Sequence, residues 1–174
     1  MKRRLRMSKK RMLVGAALVA AMSGAVVSAT PGSGISFAPL SRATYGAFDV
    51  NFKSDEFVDN PQFKVKLWSS HDVDIATQIV TFQPGGYSGW HSHGGPVIIA
   101  VKTGTLTEYD GNDPTCSPHT LPQGSGKIEV EDPSHVHMVR NETSAIAELV
   151  VTYIMPVGLN PPRRDRPNPG NCSF

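Results

Sequence analysis

Cysteine is scarce in this 174-residue chain: Cys116 and Cys172 are the only two, and they lie far apart. No CxxC pair is present, which argues against a thiolate metal cluster. Basic side chains form no stripe or patch outside the extreme N-terminus, so the electrostatic footprint of a nucleic-acid binder is missing. No window of the remaining chain shows a 3.6-residue apolar period with caps, so helices are not expected there. Internal repeats are absent. The length suits one domain and not comfortably two.

What is present at the N-terminus differs from the rest. Residues 2–11 (KRRLRMSKKR) are basic without acids, and residues 12–27 are small and apolar. Val27-Ser28-Ala29 then offers small residues at a cleavage site. This is the three-part pattern of a secretory signal peptide over residues 1–29. An uncleaved anchor is the alternative, but the 16-residue apolar run is short of the about 20 that a span requires. Cleavage leaves no stable membrane anchor and places the protein outside the cytoplasm. Seven of the seventeen Lys and Arg lie in this segment, so the remainder carries ten bases against fifteen acids, a net charge of −5. In an oxidising compartment the two cysteines read as a disulfide, tying the C-terminal tail to a mid-chain loop.

Strand patterns fill the middle of the chain. Residues 30–45 are rich in Gly, Pro and Ser and read as a linker, with any strand short, within an N-terminal arm over 30–58. Phe63–Trp68, Ile75–Phe82 and Lys127–Glu131 alternate apolar and polar residues. Gln83–Gly86 is a turn signal. Val97–Val101 and Leu106–Tyr109 flank Gly104 and read as a hairpin. Residues 112–126 read as a loop, Val136–Val139 and Ile146–Ile154 as strands. The tail over 157–174 is too rich in Pro for a helix or a central strand. Short strands with Gly and Pro turns predict an all-β antiparallel barrel or sandwich over residues 59–156.

The stretch Gly89-Trp90-His91-Ser92-His93-Gly94-Gly95-Pro96-Val97 carries the chemistry. In a strand, His91 and His93 point to the same face, where both imidazoles reach one cation. His137 lies in a second strand-like segment. His135, two residues earlier, shares its face if the strand already extends there.

These residues resemble the two motifs of the cupin family. The first, G-x5-H-x-H-x3(or 4)-E-x6-G, falls on Gly85, His91, His93 and Gly104, with Val97 in place of the acid, or Ile98 in the longer spacing. The second, G-x5-P-x-G-x2-H-x3-N, falls on Gly126, His137 and Asn141, with Asp132-Pro133-Ser134 in place of P-x-G. The resemblance covers roughly residues 60–156. It implies a jelly-roll barrel of about six to eight strands, with a mononuclear divalent transition metal held by His91, His93 and His137. Fe, Zn, Ni, Cu and Mn all suit three imidazoles. Three neutral ligands leave the ion its full charge and favour an anionic substrate. The resemblance implies a small-molecule ligand or substrate and leaves a homodimer through sheet edges open.

The function divides three ways: a metal-dependent oxygenase acting on a small organic substrate, a non-catalytic metal- or ligand-binding barrel, or a barrel without metal used for structure or interaction. The missing acid weighs against the first. His135 is read either as a fourth ligand or acid/base beside the metal, or as a surface-loop residue. Glu108, Tyr109, Glu129 and Glu131 lie on strands facing either the cavity or solvent. His71 and His119 read as solvated, Trp90 as wall packing and Trp68 as core or sheet-edge packing. Asn141-Glu142-Thr143 and Asn171-Cys172-Ser173 match glycosylation sequons. The Arg163-Arg164-Asp165-Arg166 cluster reads as a solvated tail or an anion site.

Overall fold

The computed structural model describes residues 29–54, 63–130, 132 and 134–174. The expected signal segment thus lies outside the described residues except for Ala29, as does Glu131. Among the described residues there are twelve strands and no helix. They are β1 (Ser33–Tyr45), β2 (Phe48–Ser54), β3 (Phe63–Ser69), β4 (Val73–Tyr87), β5 (His91–His93) and β6 (Val97–Thr103). After these come β7 (Thr105–Asp110), β8 (His119–Pro122), β9 (Gly126–Glu129), β10 (His137–Arg140), β11 (Ala147–Pro156) and β12 (Arg163–Asp165).

Ten of these strands form one antiparallel sheet that curls into a nearly closed barrel. Its main path runs β12-β5-β10-β4-β11-β6-β9, with β1 on β4 and β7 joining β10 to β8. The remaining pair, β2 and β3, is a separate two-stranded ribbon. The all-β barrel expectation holds, with ten strands in place of six to eight.

Alternation explains which side chains fill it. Along β11, Ala147, Leu149, Val151, Tyr153 and Met155 are buried while their neighbours are half-buried. Along β6, Val97, Ile99 and Val101 are buried and Ile98 is exposed. Val80 and Phe82 of β4, Leu106 of β7, Leu121 of β8 and Val139 of β10 complete the interior. Full burial of each such side chain contributes about 1.5–3 kcal/mol. A smaller cluster of Trp90, Tyr109 and Met138 packs under the Cys116–Cys172 disulfide. That bond forms as expected and ties the tail to the loop after β7.

Several expectations fail, each for a physical reason. Residues 33–45 are a 13-residue strand, not a linker. β1 is almost wholly exposed and pairs only with β4, and at such an edge Pro39 removes no ladder bond that must be kept. The turn signal at 83–86 is absorbed into β4 as a register shift opposite Gly34. β6 and β7 are not a hairpin: β6 pairs with β11 and β9, β7 with β10 and β8. Only Gly104 separates them, too little chain for a reversal, so the strand turns a corner. Its φ of 75° and an Ile146 carbonyl oxygen 2.9 Å from any added Cβ both demand glycine. Part of the expected loop at 112–126 is β8. Trp68 is 64% exposed on the β2–β3 ribbon, so it is not core.

Candidate metal centre

The strand β5 is only three residues long, yet it is held on both sides. His91 pairs with His137 of β10 on one side. On the other, His93, Ser92 and His91 pair with Arg163, Arg164 and Asp165 of β12. Further bonds pin the residue before it. The Trp90 amide donates to Thr30 Oγ1 (3.0 Å), and the Arg166 amide donates to the Trp90 carbonyl (2.8 Å). Trp90 itself is fully buried, as the packing reading has it. Gly89 has a φ of 70°, and a Cβ there would lie 2.0 Å from the Thr30 carbonyl oxygen. Only glycine permits this turn into the histidine strand.

The register converts sequence spacing into a cluster. His91 and His93 share a face because strand side chains alternate, and cross-strand pairing brings His137 against them. Ring centroids are 4.9 Å apart for His91–His93, 4.4 Å for His91–His137 and 5.2 Å for His93–His137. One ligand nitrogen from each lies within 4.8 Å of the others. His91 and His137 are buried, and His93 is half-buried.

Protonation states follow from the partners. His91 Nδ1 lies 2.9 Å from the Gly89 carbonyl, which only accepts, so Nδ1 carries the proton and Nε2 the lone pair. Burial, aided by His137, Arg163 and His93, holds the His91 imidazole well below the usual histidine range, so it stays neutral. His93 Nδ1 lies 3.4 Å from the Pro162 carbonyl, which favours the same tautomer. Three ligand nitrogens within 4.8 Å of one another, with the His91 and His93 rings held by outer carbonyls, are what a divalent transition ion requires. The donor set therefore fits the expected metal.

His135 does not join this group. Its Nε2 lies 2.8 Å from Asp110 Oδ1, and its ring is 5.9 Å from that of His137. Val97, not Ile98, faces the histidines: it is buried and lines their cavity, while Ile98 is exposed. The position of the acid in the family pattern is thus valine.

Glu108 and Glu129 are buried, and so is Tyr109, whose hydroxyl donates to Glu142 Oε1 at 2.9 Å. Glu129 Oε2 stands 3.6 Å from His137 Nε2 and 3.8 Å from His93 Nε2. Lys127 Nζ is bonded to Glu108 Oε1 and lies 3.5 Å from Glu129 Oε1. His119, exposed as expected, stands 3.6 Å from Glu108. His71 is exposed as well.

The cavity against the histidines is small, about 40 Å³, and mostly apolar. Phe82, Val97, Val139, Val151 and Tyr153 are among its walls. Burial pushes the Tyr153 phenol up to about 12, so it remains neutral; its oxygen accepts from Gln78 Nε2 at 2.9 Å. Arg163 lines this cavity and also an outer groove of about 770 Å³. Its guanidinium donates to the Ser88 carbonyl and pairs with Asp165, and it is not a solvated tail residue. No signal in the sequence distinguishes Arg163 from its neighbours.

Asn141, a residue of the second motif, is a pin in place of a glycan acceptor. It is fully buried. Its Nδ2 donates to the Phe82 and Ala145 carbonyls and its Oδ1 accepts from Thr143.

No family model matches the chain, and no curated protein matches it. Solved structures do. A cupin domain from Bordetella pertussis Tohama I is similar at 20% identity over 64% of this chain and 95% of its own, with a TM-score of 0.41. A sugar phosphate isomerase of the cupin superfamily from Silicibacter pomeroyi DSS-3 matches at 23% identity over 48% of this chain and 51% of its own, with a TM-score of 0.40. An oxalate oxidase, solved with the substrate analogue glycolate, matches at 21% identity over 52% of this chain and 45% of its own, with a TM-score of 0.43. The chain spans about half the length of the last two.

Proposed function

We propose that this protein is an exported cupin-type metal protein. In this reading His91, His93 and His137 hold one divalent transition ion that acts, as in an oxygenase, on a small organic molecule. The gathering of three imidazoles, one ligand nitrogen of each within 4.8 Å of the others, against a largely apolar cavity carries this reading. The disulfide supports an oxidising compartment. A bound ion of this class supplies Lewis acidity and, for iron, copper or manganese, a redox centre. The chain's own residues exclude bulk water with Phe82, Val97 and Val139, and place the cationic Arg163 between the cavity and the outer groove. That placement favours a ligand with an anionic group.

A second reading has a specific observation behind it. A cavity of about 40 Å³ admits little more than one or two water molecules. A protein that only binds metal needs no more room, whereas an organic substrate needs more than this cavity offers.

Elemental analysis of protein from its own host, beside His93→Ala and His137→Ala, tests the site. One equivalent of metal in the wild type, lost in both variants, is the expected result. Oxygen uptake with small organic acids then separates oxygenase from binder. A wild type without metal, indifferent to both substitutions, overturns the metal reading.

A further inference from the structure

Strand β9 is amphipathic the wrong way round. Ile128 and the following Val130 face outward, 65% and 75% exposed, while Glu129 between them is 2% exposed inside the barrel. Burying a carboxylate in place of an isoleucine costs several kcal/mol unless something compensates. Two groups face it. Lys127 Nζ lies 3.5 Å from Oε1. Oε2 is turned the other way, 3.6 Å and 3.8 Å from the Nε2 atoms of His137 and His93.

These separations suit ligands sharing an ion. Two donors each about 2.1 Å from one metal stand about 3.0 Å apart at an octahedral angle and about 3.4 Å at a tetrahedral one. Closure by a few tenths of an ångström around the cation brings Oε2 into that range. The alternative of direct pairing is poor for His93, whose Nε2 offers a lone pair to a carboxylate oxygen when Nδ1 is protonated against Pro162. A cation between them turns that repulsion into two bonds.

The strand register adds an independent argument. Glu129 is the direct cross-strand partner of Val97, and both point inward. Val97 occupies the first motif's acid position. An acid on β9 opposite that position reaches the same region of the barrel from the neighbouring strand.

We propose that Glu129 is the fourth protein ligand of the metal, supplied by β9 in place of the absent motif acid. The inference rests on the three-histidine reading and deepens it. The carboxylate then offsets one of the ion's two positive charges, and Lys127, bridging Glu108 and Glu129, orients the carboxylate without binding metal.

The test uses the full metal-free chain titrated with Co(II), with four variants: Glu129→Gln, Val97→Glu with Glu129→Gln, His93→Ala and His137→Ala. Affinity in Glu129→Gln should fall at least about tenfold, the low end of the loss for even an outer partner of a ligand. The visible Co(II) spectrum should shift with it. Placing the acid at 97 in the double variant should recover part of the affinity. Difference infrared spectra of the wild type on Co(II) addition should show a shifted carboxylate band, a readout that needs no variant to fold. Unchanged Co(II) affinity and spectrum in Glu129→Gln, or no carboxylate shift in the wild type, overturns the Glu129 proposal. If the histidine variants still lose the metal in that case, the three-histidine site stands without it. A wild type that binds no Co(II) removes both.

Discussion

Arg163 and Ser88 are joined across the barrel mouth: the Arg163 guanidinium Nη2 donates to the Ser88 carbonyl at 2.6 Å, with Asp165 as its second partner. Ser88 in turn is bonded to β10, its Oγ accepting from the Val139 amide at 2.9 Å. The tail is therefore fastened to the segment that leads into the histidine strand β5. Arg163→Ala should loosen the mouth. A hydrogen bond from a charged donor contributes about 1.5–3 kcal/mol, so extraction of bound metal by a chelator should speed up by about tenfold or more. Stopped-flow chelator competition measures this, and an unchanged rate would show that the tail is not the barrier.

Metal binding should report on the fold as well as on the site. An ion that binds only the native state stabilises it by about 2.7 kcal/mol at a hundred times its dissociation constant. Melting curves with and without added Zn(II) should therefore separate for the wild type. For His91→Ala, His93→Ala and His137→Ala the two curves should coincide. His135→Ala should keep the wild-type separation, because His135 is turned to Asp110 and away from the cluster. Loss of the metal effect in His135→Ala would contradict this arrangement.

Acid stability should depend on Asp74. Its carboxylate, buried where β1, β4 and the loop after β11 meet, accepts from Thr44 Oγ1 (2.6 Å), the Gly158 amide (3.0 Å) and Arg42 Nε (3.1 Å). These bonds, Thr44 first, lower its pKa from 3.8 to about 2. A depressed carboxylate contributes its stability above the unfolded value and loses it as pH falls through the folded one. The contribution is thus complete above about pH 5 and is lost progressively as pH falls through the folded value of about 2. Asp74→Asn should be less stable than the wild type at pH 6, and the difference should shrink as pH falls through that window. Chemical denaturation at a series of pH values measures it.

How much of this was readable beforehand depended on where periodicity carries information. His91 and His93 share a face in any strand, so their convergence needed only an extended backbone. Which side of a strand faces inward is a tertiary matter. On β9 the apolar residues are outside, so alternation alone left Glu129 undecided between cavity and solvent. Edge strands escape the sequence for a different reason. β1 buries almost nothing and tolerates Pro39, and so lacks both signals by which strands are recognised. The motif spacing puts the acid position at Val97, or at Ile98 in its longer form, and the register turns the first inward and the second outward.

The disulfide should matter more for the tail than for the barrel. Cys116 and Cys172 close a loop of 56 residues, and chain entropy sets the stabilisation at up to about 4 kcal/mol. The bond covers Trp90, Tyr109 and Met138, a cluster apart from the main interior, which relies on β4, β6 and β11. Replacing both cysteines by serine should therefore lower the midpoint of denaturation while the barrel still folds. Trp90, buried beneath the bond, stands next to His91 in the chain and is held by Arg166 and Thr30. Tail release should expose it to water, red-shift its fluorescence and quicken chelator extraction in the same variant. Because Trp68 is already exposed, Trp68→Phe serves as the background in which that shift is read. A serine variant with lowered stability but unchanged Trp90 emission would mean that the tail stays docked through β12 alone.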